Sequence, residues 1–322
     1  MENRMNNENQ VKIKVFGVGG GGTNAVSRMM LDKIENIDTY LINTEMSILN
    51  RNKMTNNKVN PRRVLQIGKE ATKGLGAGAN EIMGEKAALE SKEQIKELLQ
   101  NTDMLFVTAG MGGGTGTGAA PVVAKIAKEM GILTVGIVTK PFLFEGKMRA
   151  VRADNGIKKL KENVNALIVI LNDKLLKVAD DKTTVNQAFA LADDVLKQGV
   201  KSITDLVTTV GEINIDFADI KTIFDYKGKA YMGIGAAKGD ETLNDAVKQA
   251  IENPLTESTI EHAKGVIFNV TGGEDLSLTE ISSAIQLIND KIDGEANIMF
   301  GTVIDKNLKD EVKVTVIATG IE

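Results

Sequence analysis

Two glycine-rich runs hold the residue types best suited to chemistry. Gly112-Gly113-Gly114-Thr115-Gly116-Thr117-Gly118 places five glycines and two threonines in seven positions. Glycines admit the positive φ values that turn successive N–H groups inward around an anion, and the threonines add hydroxyl donors. A plain turn needs only one or two glycines, so the run reads as a cradle for the phosphates of a nucleotide. It is not a Walker A loop, because no G-x-x-x-x-G-K-[ST] occurs in the chain. Gly17-Val-Gly19-Gly20-Gly21-Gly22 fits the G-x-G-x-x-G dinucleotide pattern, between an apolar run and a helical pattern that begins near Asn24. There a helix N-terminus would face an anion with no side chain in the way, although a tight turn alone would also ask for glycine. Gly74-Leu-Gly76-Ala77-Gly78-Ala79-Asn80 either closes over a terminal phosphate or is a surface loop.

Composition removes other chemistries. There is no cysteine, hence no disulfide, thiolate metal site or cysteine nucleophile. The single histidine, His262, excludes histidine clusters and serine–histidine triads. A net charge of -4 argues against nucleic acid or an anionic membrane as the main partner. Residues 1–10 are polar and asparagine-rich and read as a frayed tail, not a signal peptide. No stretch approaches a membrane span, so a cytoplasmic protein is expected.

Apolar runs at 11–18, 39–43, 103–109, 132–139 and 166–171 predict strands, and 119–130 predicts a helix stopped by Gly131. Continuous apolar strands alternating with helices indicate a Rossmann-like parallel sheet, α/β in class, with ligands at the carboxyl ends of its strands. Residues 183–209 carry a long helical pattern that includes Gly199. Beyond it, strands at 230–237, 265–271, 296–303 and 311–318 with helices at 240–252 and 277–290 predict a smaller α+β domain. The expected division is a tail at 1–10, a nucleotide domain at 11–182, a connecting helix at 183–210 and a second domain at 211–322.

Ala109-Gly-Met-Gly-Gly-Gly-Thr-Gly-Thr-Gly-Ala-Ala-Pro121 resembles the signature of the tubulin/FtsZ family of GTPases. Further matching segments lie at 19–29, 74–80, Pro141-Phe-Leu-Phe-Glu-Gly146, Asn214-Ile-Asp-Phe-Ala-Asp-Ile-Lys221, 298–301 and 314–320, covering nearly the whole chain. The resemblance implies GTP/GDP as ligand, with Mg2+ associated with the nucleotide and no dedicated protein metal cage. It implies that Gly20, Gly21, Gly22, Thr23 and Asn24 meet phosphates and base. Asn43 and the loop Ala77, Gly78 and Ala79 join the nucleotide site, and Gly113, Gly114, Thr115, Gly116 and Thr117 form the main phosphate loop. Glu145 and Arg149 would lie beside ribose and phosphates, and Asn172, Phe189 and Asp193 in the guanine pocket. A carboxylate can accept from both N1–H and the 2-amino group of guanine, a pair that adenine lacks. Asn214, Asp216 and Asp219 would complete the active site of a neighbouring copy, orienting the attacking water. Such a heterologous contact does not close and builds head-to-tail homopolymers. A bacterial cell-division role at mid-cell follows by the same resemblance, without nucleic acid or membrane insertion.

Each residue also has a plainer reading. Phe189 sits in an apolar helical stripe, Asp193 and Asp194 suit a solvated helix face, and Glu145 with Arg149 suits a surface ion pair. Asp216 or Asp219 is also a natural N-cap for a helix starting near Phe217. The chain departs from the family pattern at Thr23, Glu45, Glu81 and Leu171, two of them near the expected γ-phosphate. This keeps open a filament protein that binds GTP with little hydrolysis. The family usually continues into a linker and an adaptor-docking peptide, whereas this sequence ends at Glu322. A third reading is a nicotinamide-dependent oxidoreductase with Asp38 or Glu45 on the ribose; it leaves the 112–118 run unexplained.

Overall fold

A computed structural model describes residues 11–321 except 33, 35, 56–59, 177–181, 209–214, 240, 253–255, 274–275, 293, 306–307 and 309–310. The expected tail at 1–10 lies outside the described residues. In chain order the first elements are β1 Ile13–Val18, α1 Gly19–Asp32, β2 Ile37–Asn43, α2 Met46–Thr55, β3 Val64–Gln66 and α3 Lys69–Thr72. Then come α4 Glu81–Glu90, α5 Lys92–Leu99, β4 Met104–Gly110, α6 Thr115–Glu129, β5 Leu133–Lys140 and α7 Lys147–Lys161. β6 Ala166–Leu171, α8 Asn172–Leu175, α9 Val185–Thr208, α10 Phe217–Phe224, β7 Lys229–Lys238 and α11 Leu243–Ile251 follow. The chain ends with β8 Gly265–Gly272, α12 Leu278–Asn289, β9 Asn297–Ile304 and β10 Glu311–Ile321. Two compact units result: residues 1–164 with 179–204, and residues 165–178 with 205–322.

In the first unit the strands run in the order β3-β2-β1-β4-β5, all parallel. β1 and β4 are buried nearly end to end, which is why their sequences read as unbroken apolar runs rather than alternating ones. Lys14 is the one charge in β1, and its ammonium donates to Leu98 O at 2.7 Å and Gln100 O at 2.8 Å. It thus satisfies carbonyls at the C-terminal end of α5. Burial holds that ammonium below the ordinary lysine range.

α9 buries Ala188, Ala192, Leu196, Val200 and Ile203, a stripe at three- and four-residue spacing. Gly199 does not end it; one interior glycine costs only about 1 kcal/mol against that much burial.

In the second unit β6 pairs parallel to β7, β7 antiparallel to β10, β10 antiparallel to β8, and β8 parallel to β9. Val266, Phe268, Val316, Val247 and Ile288 meet in its core beneath α11 and α12. Gly233 and Gly235 let α11 lie directly on β7, since a Cβ at either would collide with Ala250 O or Ala246 O. The expected fold class holds: a parallel α/β sheet, a long helix, then a smaller α+β unit. No helix of the described residues is long and apolar enough to cross a membrane.

Two helices begin earlier than their sequences suggest. α1 starts at Gly19, not near Asn24, and α6 starts at Thr115, not Ala119. Glycine's low helix propensity hides both starts. The first-turn N–H groups have no intrahelical acceptor in any case, so those residues give up little by being glycine.

Candidate functional site

β1 and β4 are adjacent, yet the chain leaves β1 toward β2 and leaves β4 toward β5. The strand order therefore reverses between them, at the position where open α/β sheets bind ligands. Both glycine runs sit there, running into the N-terminal ends of α1 and α6. A Cβ on Gly19 would come within 2.6 Å of Gly116 N, and one on Gly21 within 3.1 Å of Gly110 Cα, so the two loops touch backbone to backbone. The third loop joins them, because a Cβ on Gly114 would meet Ala77 Cβ at 2.8 Å and Asn80 N at 2.9 Å. That loop is pinned by Met46 N–H donating to Gly74 O at 3.1 Å and by Asn80 capping α4 through Ile82 N at 3.0 Å. Gly78 and Ala79 both hold positive φ within it. Two helix N-termini and a nest of N–H groups thus converge on one crevice rim, an arrangement suited to a polyanion.

The expected residues divide by what surrounds them. A Cβ on Gly113 or Gly78 would meet nothing within 4 Å, and one on Gly20 would meet only Ile48 Cδ1 at 4.0 Å. These three border open space. Gly22, Gly114 and Gly116 instead allow close packing; a Cβ on Gly22 would collide with Thr108 O. Replacement by alanine should separate the two groups. Gly22→Ala should lower stability by about 1–3 kcal/mol, visible as a lower thermal midpoint. Gly113→Ala should leave that midpoint unchanged.

The hydroxyls are more committed than the sequence suggests. Thr23 is fully buried and donates to Gly19 O at 2.7 Å, inside its own helix. Thr115 shares a 2.6 Å hydrogen bond with Thr44, and Thr117 Oγ1 accepts from Gly112 N–H at 2.8 Å. Thr44 thereby enters the site, a contact that spacing gave no reason to expect. Asn43, at the end of β2, accepts from Glu45 N–H, while its Nδ2 is buried without a hydrogen-bond partner among the described residues. Buried polar atoms are nearly always paired, so an orphaned donor at this rim fits a ligand acceptor.

Glu145 and Arg149 do form the i, i+4 ion pair, at 3.0 Å, but the Glu145 side chain is only 8% exposed. It also accepts from Phe142 N–H at 2.9 Å. Arg152 Nε donates to Gly112 O at 3.0 Å, tying α7 to the loop before α6. Phe189 is not core. It stands 39% exposed, edge-on to Phe142 with ring centroids 5.4 Å apart, and can offer a face for stacking. Asp193, one turn further along α9, is buried rather than solvated. Burial pushes its carboxyl up from 3.8 to about 6, Arg28 opposes the rise, and Asp194 adds to it. Arg28 Nε sits 3.2 Å from Asp193 Oδ2. Sequence reading passed over Arg28, although it lies one turn beyond Asn24 on the same face of α1.

The remaining candidates belong to the second unit. Asn172 opens α8, buried, with its Oδ1 unpartnered among the described residues. Asp216 occupies the N-cap position of α10, as its plainer reading required, but its side chain makes no capping hydrogen bond. Asp219 follows in the first turn, and both carboxylates are exposed. Asn214 lies outside the described residues. For the oxidoreductase reading, Asp38 stands at the wrong end of β2 and is paired with Arg63 at 2.6 Å. No cluster of three or more His, Cys, Asp or Glu side chains suits a metal ion among the described residues.

Comparison with known proteins agrees with this geometry. The profile described as Tubulin/FtsZ family, GTPase domain, matches residues 12–180, and that of the FtsZ family, C-terminal domain, matches residues 228–322. An FtsZ dimer from M. jannaschii is 41% identical over 98% of this chain and 89% of its own, with a TM-score of 0.89. A point mutant of M. jannaschii FtsZ gives 41% identity over 97% and 92%, with a TM-score of 0.88. CetZ2 from Haloferax volcanii, solved as a GTPgS-bound protofilament, shares the fold at 19% identity over 97% and 94%, with a TM-score of 0.81.

Proposed function

Because the chain belongs to the tubulin/FtsZ family of GTPases, we propose that it binds GTP at the β1–β4 crevice, assembles head to tail, and hydrolyses GTP where two copies meet. The observation that carries this reading is the meeting of three glycine-bearing loops and two helix N-termini at one strand-order reversal. Gly20, Gly21 and Gly113 to Thr117 would receive the phosphates through backbone N–H groups, and Gly78 with Ala79 would close over the terminal one. Glu145 and Arg149 would flank the ribose. Phe189 would stack on guanine, with Asn24 and Asp193 on its polar edge; family membership adds Asn172 to that set. Mg2+ would be held by the triphosphate oxygens and water. When bound, it neutralises phosphate charge.

The second copy would bring Asn214, Asp216 and Asp219. Two exposed carboxylates, one of them at a cap position it does not use, are free to accept protons from a water. Leu143, Phe144 and Met148 stand 81%, 59% and 69% exposed beside the Glu145–Arg149 pair. Such an apolar rim suits contact with another copy. One M. jannaschii relative was solved as a dimer, in keeping with self-association. A cytoplasmic filament acting in cell division at mid-cell is the role that fits a nucleotide-gated polymer of this family.

Light scattering recorded alongside phosphate release tests the reading. Scattering should rise with GTP and with a non-hydrolysable analogue, and phosphate should appear only with GTP, in step with assembly. Leu143→Ser with Phe144→Ser should reduce both signals together. Phosphate release at full rate without any rise in scattering would contradict hydrolysis at a junction. Assembly with GTP but no phosphate would instead favour the slow-hydrolysis alternative.

A further inference from the structure

α1 and α9 present matching stripes. On α1, Gly20, Asn24 and Arg28 recur every four residues along one face; on α9, Phe189, Asp193 and Lys197 do the same. Two ionic rungs join the helices. Arg28 Nε lies 3.2 Å from Asp193 Oδ2, and Lys197 Nζ lies 2.8 Å from Asp32 Oδ2. Lys197 also reaches Asp194 Oδ1 at 3.3 Å, so Asp194 shares that cation with Asp32. The positive charge facing Asp193 is therefore that of Arg28, and the like charge beside it is Asp194.

We propose that Arg28 is a positioning residue for base selection, pairing its guanidinium with Asp193 and leaving that carboxylate's acceptor sites for the N1–H and 2-amino groups of guanine. This rests on the nucleotide reading given above. An ionised carboxylate has about four lone-pair positions, so the ion pair with Arg28 at Oδ2 leaves enough for two base donors. A carboxyl buried without a counter-charge takes up a proton instead. The acid then carries an O–H that meets the 2-amino N–H donor to donor. Hypoxanthine keeps N1–H but lacks the 2-amino group, so it would accept the protonated acid with little loss. Arg28 thus acts on discrimination between two bases, beyond affinity alone.

The test titrates the full chain and its Arg28→Met and Arg28→Lys variants with GDP and with IDP by calorimetry, from about pH 5.5 to 8.5, with thermal melts beside. At a pH of about 7.5 the Met variant should lose at least about tenfold in GDP affinity and much less for IDP. The pH at which its GDP binding is half lost should lie above that of the unaltered chain. Arg28→Lys should restore both the midpoint and the GDP preference. An unchanged GDP:IDP ratio and midpoint in Arg28→Met would overturn the inference, as would equal losses for both nucleotides without a midpoint shift. Should the Met variant melt early, Arg28→Gln carries the same comparison. Failure of the unaltered chain to bind GDP would sink the nucleotide reading itself, whereas binding indifferent to Arg28 would sink only this one.

Discussion

Asp216→Ala and Asp219→Ala should each lower GTP turnover by at least about 100-fold while leaving GTP affinity within about threefold. The expectation follows from how α10 is held. Ile220, Ile223 and Phe224 are buried and anchor the helix. The Asp216 carbonyl starts it, accepting from Asp219 N–H at 3.0 Å and Ile220 N–H at 3.1 Å. Neither bond uses a carboxylate. Truncating Asp216 therefore removes no capping hydrogen bond and should cost less than the roughly 1 kcal/mol of a working cap. A large loss of turnover with an unchanged thermal midpoint would then belong to chemistry, not to folding. Turnover and single-nucleotide binding, measured on the same preparation, check both halves; unaltered hydrolysis in either variant would remove the carboxylates from the mechanism.

Asp193→Asn should exchange guanine for xanthine. The amide keeps one acceptor for N1–H but turns a donor toward position 2, where guanine carries an amine and xanthine a carbonyl. GTP affinity should fall by about 100-fold or more, and XTP should bind in its place, because a site built for one hydrogen-bond pattern rejects its inverse strongly. The same substitution should also stabilise the nucleotide-free fold. The Asp193 carboxyl titrates at about 6 when folded against 3.8 unfolded. Between those values the folded chain binds the proton more tightly, so stability falls as pH rises through the window, and the full penalty is present above it. Asparagine removes that penalty, worth up to about 3 kcal/mol near neutral pH and only about 0.5 kcal/mol at a pH of about 4. Thermal midpoints of both chains across that range measure it. For the unaltered chain, GTP affinity should fall on acidification through about pH 6, where Asp193 gains its proton.

Strands β1, β4 and β6 could be read because each is buried nearly end to end. Ala166–Leu171 is six consecutive apolar residues and falls where the sequence places it. The helices α2 to α5, between Met46 and Leu99, are hard to read from sequence because each is ten residues or shorter. Glycine's helix-breaking reputation concealed that the first helix starts at Gly19 and the sixth at Thr115, inside the two glycine runs. Phe189 and Asp193 illustrate a deeper limit. Periodicity alone assigns the aromatic to the core and the acid to solvent, and the structure reverses both. That reversal depends on where α9 meets α1 and the Phe142–Phe144 turn, which is a tertiary fact. The family resemblance singles out those residues, which the residue pattern itself does not.

Whether one catalytic site takes residues from two copies of the chain is tested most directly by mixing two variants. One, Asp193→Asn, keeps its acids but takes XTP; the other, Asp216→Ala with Asp219→Ala, binds GTP but lacks the acids. With both nucleotides present, either variant alone should release no phosphate from GTP, and the mixture should, at junctions where GTP on the second variant meets the acids of the first. Mixed filaments that form yet leave GTP intact, or GTP hydrolysis by the acid-free variant alone, would contradict it.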